Sequence, residues 1–192
     1  PAEIKTAMVA LPDISDALAL FGLAQEAAGT SLTAFEFMPR IVFDFVLKHA
    51  PGARDPFETP HRWYALMEVS GAKPDGTADR VLSEILEEGM EKGLVVDPRI
   101  AASIAQARDF WKLREAISEA QKPEGGNIKN DISVPIAGIP EFVRRANALV
   151  ERICPGGRPL AFGHFGDGNV HYNIAQPLEM SKAGLLAHWE TL

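Results

Sequence analysis

The sequence predicts an α+β fold: a mainly antiparallel sheet with helices packed on one face, built from ferredoxin-like strand–helix repeats. Short β-prone segments alternate with helical ones, and the order strand–helix–strand occurs twice. These segments are too short and too mixed in composition for a doubly wound parallel sheet. The chain has 192 residues, of which 46% are hydrophobic and 23% charged, as is usual for one globular domain.

The boundaries of the elements follow from local signals. Residues 5–11 are a β-prone run, and Asp13 or Ser15 caps the helix that follows. Residues 32–38 alternate as a strand does, and Pro39 can occupy the first turn of the next helix. The predicted strands are 5–11, 32–38, 63–70, 94–96, 129–135 and two within 162–174; the predicted helices are 15–28, 39–49, 77–92, 99–121, 140–153 and 178–192.

The composition excludes several classes of partner. The net charge is −7 and the basic residues are dispersed, so we expect no nucleic-acid partner. No apolar stretch approaches the roughly 20 residues that a membrane span needs. Cys154 is the single cysteine, which excludes an intrachain disulfide and fits a reducing compartment. We therefore expect a cytoplasmic protein, or a mitochondrial-matrix protein in a eukaryote.

A hairpin with two histidines is the most informative segment. Asp167-Gly168 is a preferred pair for a two-residue type I′ turn, since both positions need a positive φ. With the turn at that pair, His164 lies opposite His171 on one face of the sheet. Two imidazoles so placed can bind one metal ion, and Asn173 returns to the same face two residues further on.

The same spacing is also typical of a solvent-facing hairpin in which two histidines merely pair across the strands. The glycines and the acidic turn make a metal site more favoured here than for two histidines at the same spacing in an arbitrary sequence. On spacing alone, we weigh the two interpretations equally.

A second set of polar residues is suited to an anionic ligand. Arg114 and Ser118 are four residues apart on a predicted helix and therefore share a face. An arginine fork fits a carboxylate with two hydrogen bonds, and Lys129 can bring a second positive charge. From the helix alone, however, a solvated face with Arg114 bridging Glu115 or Glu119 is the more favoured interpretation.

Several segments together resemble the C-terminal domain of FAD-linked oxidases, in the superfamily of vanillyl-alcohol oxidase and p-cresol methylhydroxylase. The resemblance is strongest to the subgroup of D-lactate, D-2-hydroxyglutarate and glycolate dehydrogenases. It extends over essentially the whole chain, and the motifs are specific in combination. The segments that carry it are 34–38, 63–68, 111–115, 129–135 and 163–171.

The resemblance implies a metal site beside a flavin. His164 and His171 would be ligands of a divalent ion, zinc or manganese. Asn173 would contact the substrate near that ion, and Asn169 with its turn would face the FAD ring. The ion would polarise the hydroxyl group of a 2-hydroxy acid, whose hydride would pass to FAD.

The resemblance also implies a substrate-binding role for Arg114, Ser118 and Lys129, which would hold carboxylate groups. Two features of the family are missing, namely the glycine-rich phosphate loop of the flavin domain and a Glu-His pair after the hairpin. We therefore expect residues 1–192 to be the substrate-binding (cap) domain, a fragment without the N-terminal FAD-binding domain and the C-terminal catalytic segment. No catalytic residue is assigned to this chain, which is expected to be inactive alone.

The expected partners are a small 2-hydroxy acid and the FAD-binding domain of the same polypeptide. Two other interpretations remain open at this point. The chain could be a stand-alone carboxylate- or metal-binding module without catalysis, or an assembly domain whose helices form a homodimer. Clustered polar residues favour the enzyme domain, because an interface would prefer an apolar patch.

Overall fold

The computed structural model describes all 192 residues and contains one eight-stranded antiparallel sheet and seven α-helices. The strands are β1 (Glu3–Leu11), β2 (Leu32–Pro39), β3 (Trp63–Gly71), β4 (Asp97–Ile100), β5 (Asn127–Ile128), β6 (Asp131–Ser133), β7 (Arg158–His164) and β8 (Asn169–Ala175). The helices are α1 (Ile14–Ala28), α2 (Arg40–His49), α3 (Thr77–Glu91), α4 (Ile104–Glu115), α5 (Ile117–Ala120), α6 (Ile139–Ile153) and α7 (Lys182–Leu186).

The first four strands form the predicted ferredoxin-like unit. Their order in the sheet is β4-β1-β3-β2, and α1 and α3 connect the strands of the two repeats. The sheet continues through β7, β8 and β5, and β6 pairs with β8 beside β5. Every strand pair is antiparallel, which confirms the α+β class with a mainly antiparallel sheet.

Helices cover both faces of the sheet, whereas the sequence pattern predicts them on one. A 30-residue core joins one face to α1, α3 and α6, and a separate 17-residue core joins the other face to α2, α4 and α5. The reason lies in the central strands, where residues 7–11 of β1 and 63–67 of β3 are buried without alternation. A strand that is apolar on both sides needs a cover on both sides. We call the second face, with α2, α4 and α5, the α4 face.

The predicted helix 99–121 is wrong at its start. Residues 97–100 pair with β1 as an edge strand, and α4 begins only at Ile104. The side chain of Ser103 caps α4 by accepting a hydrogen bond from the backbone N–H of Gln106 at 3.1 Å. The helix is also interrupted at Ala116, which separates α4 from α5.

The predicted C-terminal helix 178–192 is reduced to α7, which spans five residues. Ser181 caps it by accepting from the backbone N–H of Gly184. None of the helices is long and apolar enough to cross a membrane.

Candidate functional site

The loop of the β7–β8 hairpin differs from the predicted two-residue turn. His164 pairs with Asn169, and His171 pairs with Phe162, so the direct pairing of the two histidines is wrong. The chain turns through a short 3₁₀ helix, 165–167, followed by Gly168 in the left-handed region at φ 72°. The shift does not change faces, because a strand has a period of two residues. The prediction that both histidines share one face is therefore confirmed.

The cause of the longer loop is the side chain of Phe165, which is fully buried in the core against Phe37 and Phe35. Burying that ring draws the backbone into a helical turn that the Asp-Gly signal does not predict. Asp167 does not take a positive φ; its carboxylate instead accepts the backbone N–H of Asn169 at 2.9 Å.

The site is organised around Glu36, a carboxylate in the middle of β2. Glu36 pairs with His164 in the β2–β7 ladder and is 8% exposed. Its Oε1 lies 2.8 Å from Nδ1 of His164, and its Oε2 accepts from Nε of Arg114 at 2.8 Å. One buried carboxylate thus joins a strand histidine to a helix arginine.

These contacts shift the pKa values of Glu36 and His164. Burial alone would raise the pKa of Glu36, but the hydrogen bonds and charges of His164 and Arg114 outweigh it and lower that pKa. The hydrogen bond to Glu36 raises the pKa of His164 against the opposing effect of burial. Glu36 is therefore ionised at neutral pH and acts as an acceptor for both partners.

The guanidinium of Arg114 lies over the ring of Phe162, with 5.1 Å from its central carbon to the ring centroid. Its single ion pair is with Glu36, so the interpretation in which it bridges Glu115 or Glu119 is wrong. Its two terminal nitrogens make no hydrogen bond within the chain. Arg114 thus keeps the N–H donors of both terminal nitrogens available to an anionic ligand.

His171 is held in a similar way to His164. Asp131 lies directly opposite it on β6, and the Asp131 carboxylate contacts Nδ1 of the imidazole. The ring also lies 5.0 Å from the ring of Phe162, centroid to centroid. In both histidines the Nδ1 atom is hydrogen-bonded to a carboxylate, and the Nε2 atom makes no hydrogen bond within the chain.

Asn173 lies on the same face but is engaged in the protein interior. Its Nδ2 donates to Oε1 of Gln121 at 2.9 Å, and its Oδ1 accepts the backbone N–H of Asn130 at 3.3 Å. Gln121 accepts a second hydrogen bond from the side chain of Asn127. The amide is therefore fixed in orientation by its neighbours.

The remaining predicted residues lie at the periphery. Ser118, on α5, is exposed and makes no side-chain hydrogen bond. Lys129, between β5 and β6, is exposed and forms no ion pair. Asn169 is half-buried at the start of β8 and faces His164 across the hairpin. The structure brings Arg114, His164, His171 and Asn173 to the α4 face, and neither Ser118 nor Lys129 forms a hydrogen bond or ion pair with Arg114.

Sequence reasoning missed Glu36, Asp131 and Gln121, which hold the predicted residues in place. Glu36 left one usable signal, since it is a charge at the centre of the apolar run 34–38. A buried charge requires partners, and that requirement points to a site. Asp131 and Gln121 left no such signal, because acidic and amide side chains are common at loop and helix ends.

The sequence profile of the family described as "FAD linked oxidases, C-terminal domain" matches residues 1–191. The chain belongs to this family. This FAD-linked oxidase C-terminal domain is 37% identical over 174 residues to a D-2-hydroxyglutarate dehydrogenase, mitochondrial, of Arabidopsis thaliana, covering 90% of the chain and 30% of that protein. It is 35% identical over 187 residues to a D-2-hydroxyglutarate dehydrogenase of Xanthomonas citri pv. viticola, and the match covers 97% of this chain and 38% of that protein. The chain thus spans about a third of the length of these curated relatives.

Solved structures support the same fold. The domain superposes on 4-ethylphenol oxidase from Gulosibacter chungangensis with a TM-score of 0.58 and 11% identity, covering 96% of this chain and 42% of that one. An alkyldihydroxyacetonephosphate synthase gives a TM-score of 0.55 at 11% identity, and the match covers 100% of this chain and 39% of that one. At this identity the likeness concerns the fold alone.

The donor set of the domain fits a metal ion only in part. No group of three or more His, Cys, Asp or Glu side chains in the chain is placed to hold an ion. Two histidines with Nδ1 held by carboxylates do match the usual support of metal-ligating imidazoles. A catalytic zinc generally takes three protein ligands, so the two histidines would be one fewer than such a site needs.

Proposed function

We propose that this domain is the substrate-binding part of a flavin-dependent D-2-hydroxy-acid dehydrogenase, and that its substrate is a 2-hydroxy dicarboxylate such as D-2-hydroxyglutarate. The observation that carries the proposal is the arrangement of Arg114 and His164 around Glu36. It leaves arginine donors and an imidazole nitrogen without partners on one face of the sheet. The names of the curated relatives support the substrate class.

Each polar residue receives a role in substrate binding. Arg114 binds one carboxylate of the substrate through its terminal N–H groups, in the bidentate manner for which guanidinium is suited. Ser118 and Lys129 assist from α5 and from the β5–β6 connection, where Lys129 can pair with the second carboxylate. Asn173 would contact the substrate from β8 through the second N–H of its amide, since the first is bound to Gln121. A dicarboxylate uses both cations, whereas a monocarboxylate uses one.

His164 and His171 would be two ligands of a divalent ion, zinc or manganese, through their Nε2 atoms. The support for this is the carboxylate on each Nδ1, which leaves the Nε2 lone pair available for a metal. A third ligand would come from outside these residues. Bound there, the ion would lower the pKa of a substrate hydroxyl.

FAD would be held mainly by another domain of the same polypeptide, with Asn169 and the β7–β8 loop facing its ring. The flavin would supply hydride acceptance, which no side chain of this domain can provide. The domain contains no assigned base, so residues 1–192 alone would bind ligands without oxidising them. We propose a cytoplasmic location or, in a eukaryote, the mitochondrial matrix; the names of the plant relatives support the latter.

The test compares substrates and variants in the polypeptide that carries both this domain and its flavin domain. Dye reduction should proceed with D-2-hydroxyglutarate, more slowly with D-lactate, and not with L-2-hydroxyglutarate. Arg114→Lys should raise KM for the dicarboxylate by about tenfold, because one of two hydrogen bonds to a carboxylate is lost. Arg145→Lys, at an exposed arginine of α6 without an ion pair, is the control and should leave KM unchanged. Equal rates with both enantiomers, or an unchanged KM in Arg114→Lys, would refute the proposal.

A further inference from the structure

Glu36 differs from the other carboxylates of the α4 face in the identity of its partners. Each of its oxygens accepts one hydrogen bond, from Arg114 and from His164, and both donors belong to the proposed site. Glu68 is the natural comparison: it lies on the neighbouring β3 strand and accepts from Trp111 of the same helix at 3.0 Å, but contacts neither His164 nor Arg114.

We propose that Glu36 is a positioning residue that fixes His164 as the Nδ1–H tautomer and directs the terminal N–H groups of Arg114 away from the sheet. The inference rests on the proposed function, because it gives that site its geometry. Glu36 itself would touch neither the substrate nor the metal ion. It would act on both through the side chains it holds.

The chemistry of the three side chains decides which atoms donate hydrogen bonds. A carboxylate is an acceptor only, and the guanidinium Nε–H of Arg114 is a donor only. A neutral imidazole has one N–H and one lone pair, so the nitrogen that contacts Glu36 must carry the hydrogen. The Nδ1–H of His164 therefore points at Glu36, and the lone pair remains on Nε2.

The position of Arg114 follows from the same carboxylate. Because Nε–H is bound to Glu36 and the central carbon of the guanidinium lies over the ring of Phe162, two contacts fix the direction of the fork. One terminal N–H lies on the same edge of the guanidinium as Nε–H, and the end-on pair of N–H groups, one from each terminal nitrogen, points away from the hydrogen bond to Glu36. The Glu36 carboxylate therefore orients both the Arg114 guanidinium that would bind the substrate and the His164 imidazole that would bind the metal. Loss of this carboxylate should disturb both side chains.

The variant Glu36→Gln separates this role from a general contribution to folding, because it is nearly isosteric. Its amide has one acceptor oxygen, and Arg114 Nε–H can pair only with that oxygen. The amide N–H₂ then faces His164, whose Nδ1 must become the acceptor. The variant should thus switch His164 to the Nε2–H tautomer, which occupies the atom proposed to bind metal.

The readout is the ring ¹⁵N spectrum of the 192-residue chain labelled at histidine, recorded where the imidazole is neutral. The native chain should show His164 as Nδ1–H, Glu36→Gln should show Nε2–H, and the control Glu68→Gln should keep the native form. A native His164 in the Nε2–H form would overturn the proposal without any variant. An unchanged tautomer in Glu36→Gln would overturn it as well.

A zinc titration of the same three chains separates this inference from the proposed function. Glu36→Gln should weaken zinc binding by at least about tenfold, as the loss of a carboxylate behind a ligand histidine does, and Glu68→Gln should not. If the native chain binds no zinc while the tautomer still switches, the metal part of the proposed function fails and the positioning role stands. If zinc binds to the native chain and to Glu36→Gln equally, the positioning role fails and the metal site stands.

Discussion

The side chain of Asn173 donates to Oε1 of Gln121 at 2.9 Å, which ties strand β8 to the residue that follows α5. The same oxygen accepts from Asn127, so one buried acceptor serves two amides. Gln121 is 1% exposed and Asn173 is 5% exposed. Neither amide can exchange this contact for water without opening the α4 face.

We expect Gln121→Leu to lower the free energy of unfolding by about 2–4 kcal/mol, because the buried amide of Asn173 and the half-buried amide of Asn127 lose their acceptor. Urea unfolding followed by circular dichroism measures the change. Gln25→Leu, at an exposed position of α1 without a side-chain hydrogen bond, should stay within about 0.5 kcal/mol of the native chain. A loss below about 1 kcal/mol in Gln121→Leu would mean that the amides find other partners.

The carboxylate of Glu124 should control stability in acid. Burial works against its charged form, but hydrogen bonds from Lys48, Arg158 and His49 prevail and lower its pKa from 4.5 to about 2. A lowered pKa means that the contribution is complete above pH 4.5 and is lost as the pH falls towards about 2.

We therefore expect Glu124→Gln to be less stable than the native chain by about 2 kcal/mol at pH 7, because it breaks the largely buried ion pair between Glu124 and Arg158. The difference should shrink between pH 4.5 and about 2, as the native carboxyl itself becomes neutral. The measurement is the urea midpoint as a function of pH. Glu119→Gln is the control, since Glu119 is 74% exposed and pairs only with Lys122. A difference that is independent of pH would contradict the assignment.

The order of strands and helices could be predicted from the sequence because the signals are local. The helix that starts after Asp13, for example, is marked by its own capping residues, and the spacing of its apolar side chains indicates which face is buried. The ferredoxin-like unit follows from two such repeats. Edge strand β4 could not be predicted, because residues 97–100 become a strand only by pairing with β1, which is distant in sequence.

The site was predictable to a similar extent and for the same reason. His164 and His171 were found because their spacing and the turn residues lie within one hairpin. Glu36 was missed because its partners are 78 and 128 residues away, and no periodicity links residues at such separations. The hairpin register was missed because the burial of Phe165, a tertiary effect, decides the loop length.

Gly168 should be required for the β7–β8 loop. Its φ is 72°, and a Cβ at this position would meet the backbone carbonyl oxygen of Val134. We expect Gly168→Ala to lower the free energy of unfolding by at least about 2 kcal/mol, from backbone strain and the displacement of Val134.

The matched control for Gly168→Ala is Gly22→Ala, in the interior of α1 where a Cβ meets nothing within 4 Å. That variant should be more stable than the native chain, by up to about 1 kcal/mol, because alanine is the better helix former. Thermal unfolding of the two variants should therefore shift in opposite directions. Equal shifts would show that the loop adapts to a side chain at residue 168.

Zinc binding to the chain should be weak and should depend on both histidines of the hairpin. The two histidines would supply two imidazole ligands, one fewer than a catalytic zinc site usually has, and no group of three or more His, Cys, Asp or Glu side chains is placed to hold an ion. Calorimetric titration should give one low-affinity site that disappears in His164→Ala and in His171→Ala. Asp131→Asn should weaken it by about tenfold, since Asp131 supports Nδ1 of His171. His188→Ala, outside the site, should leave it unchanged, whereas tight binding that persists in His171→Ala would place the ion elsewhere.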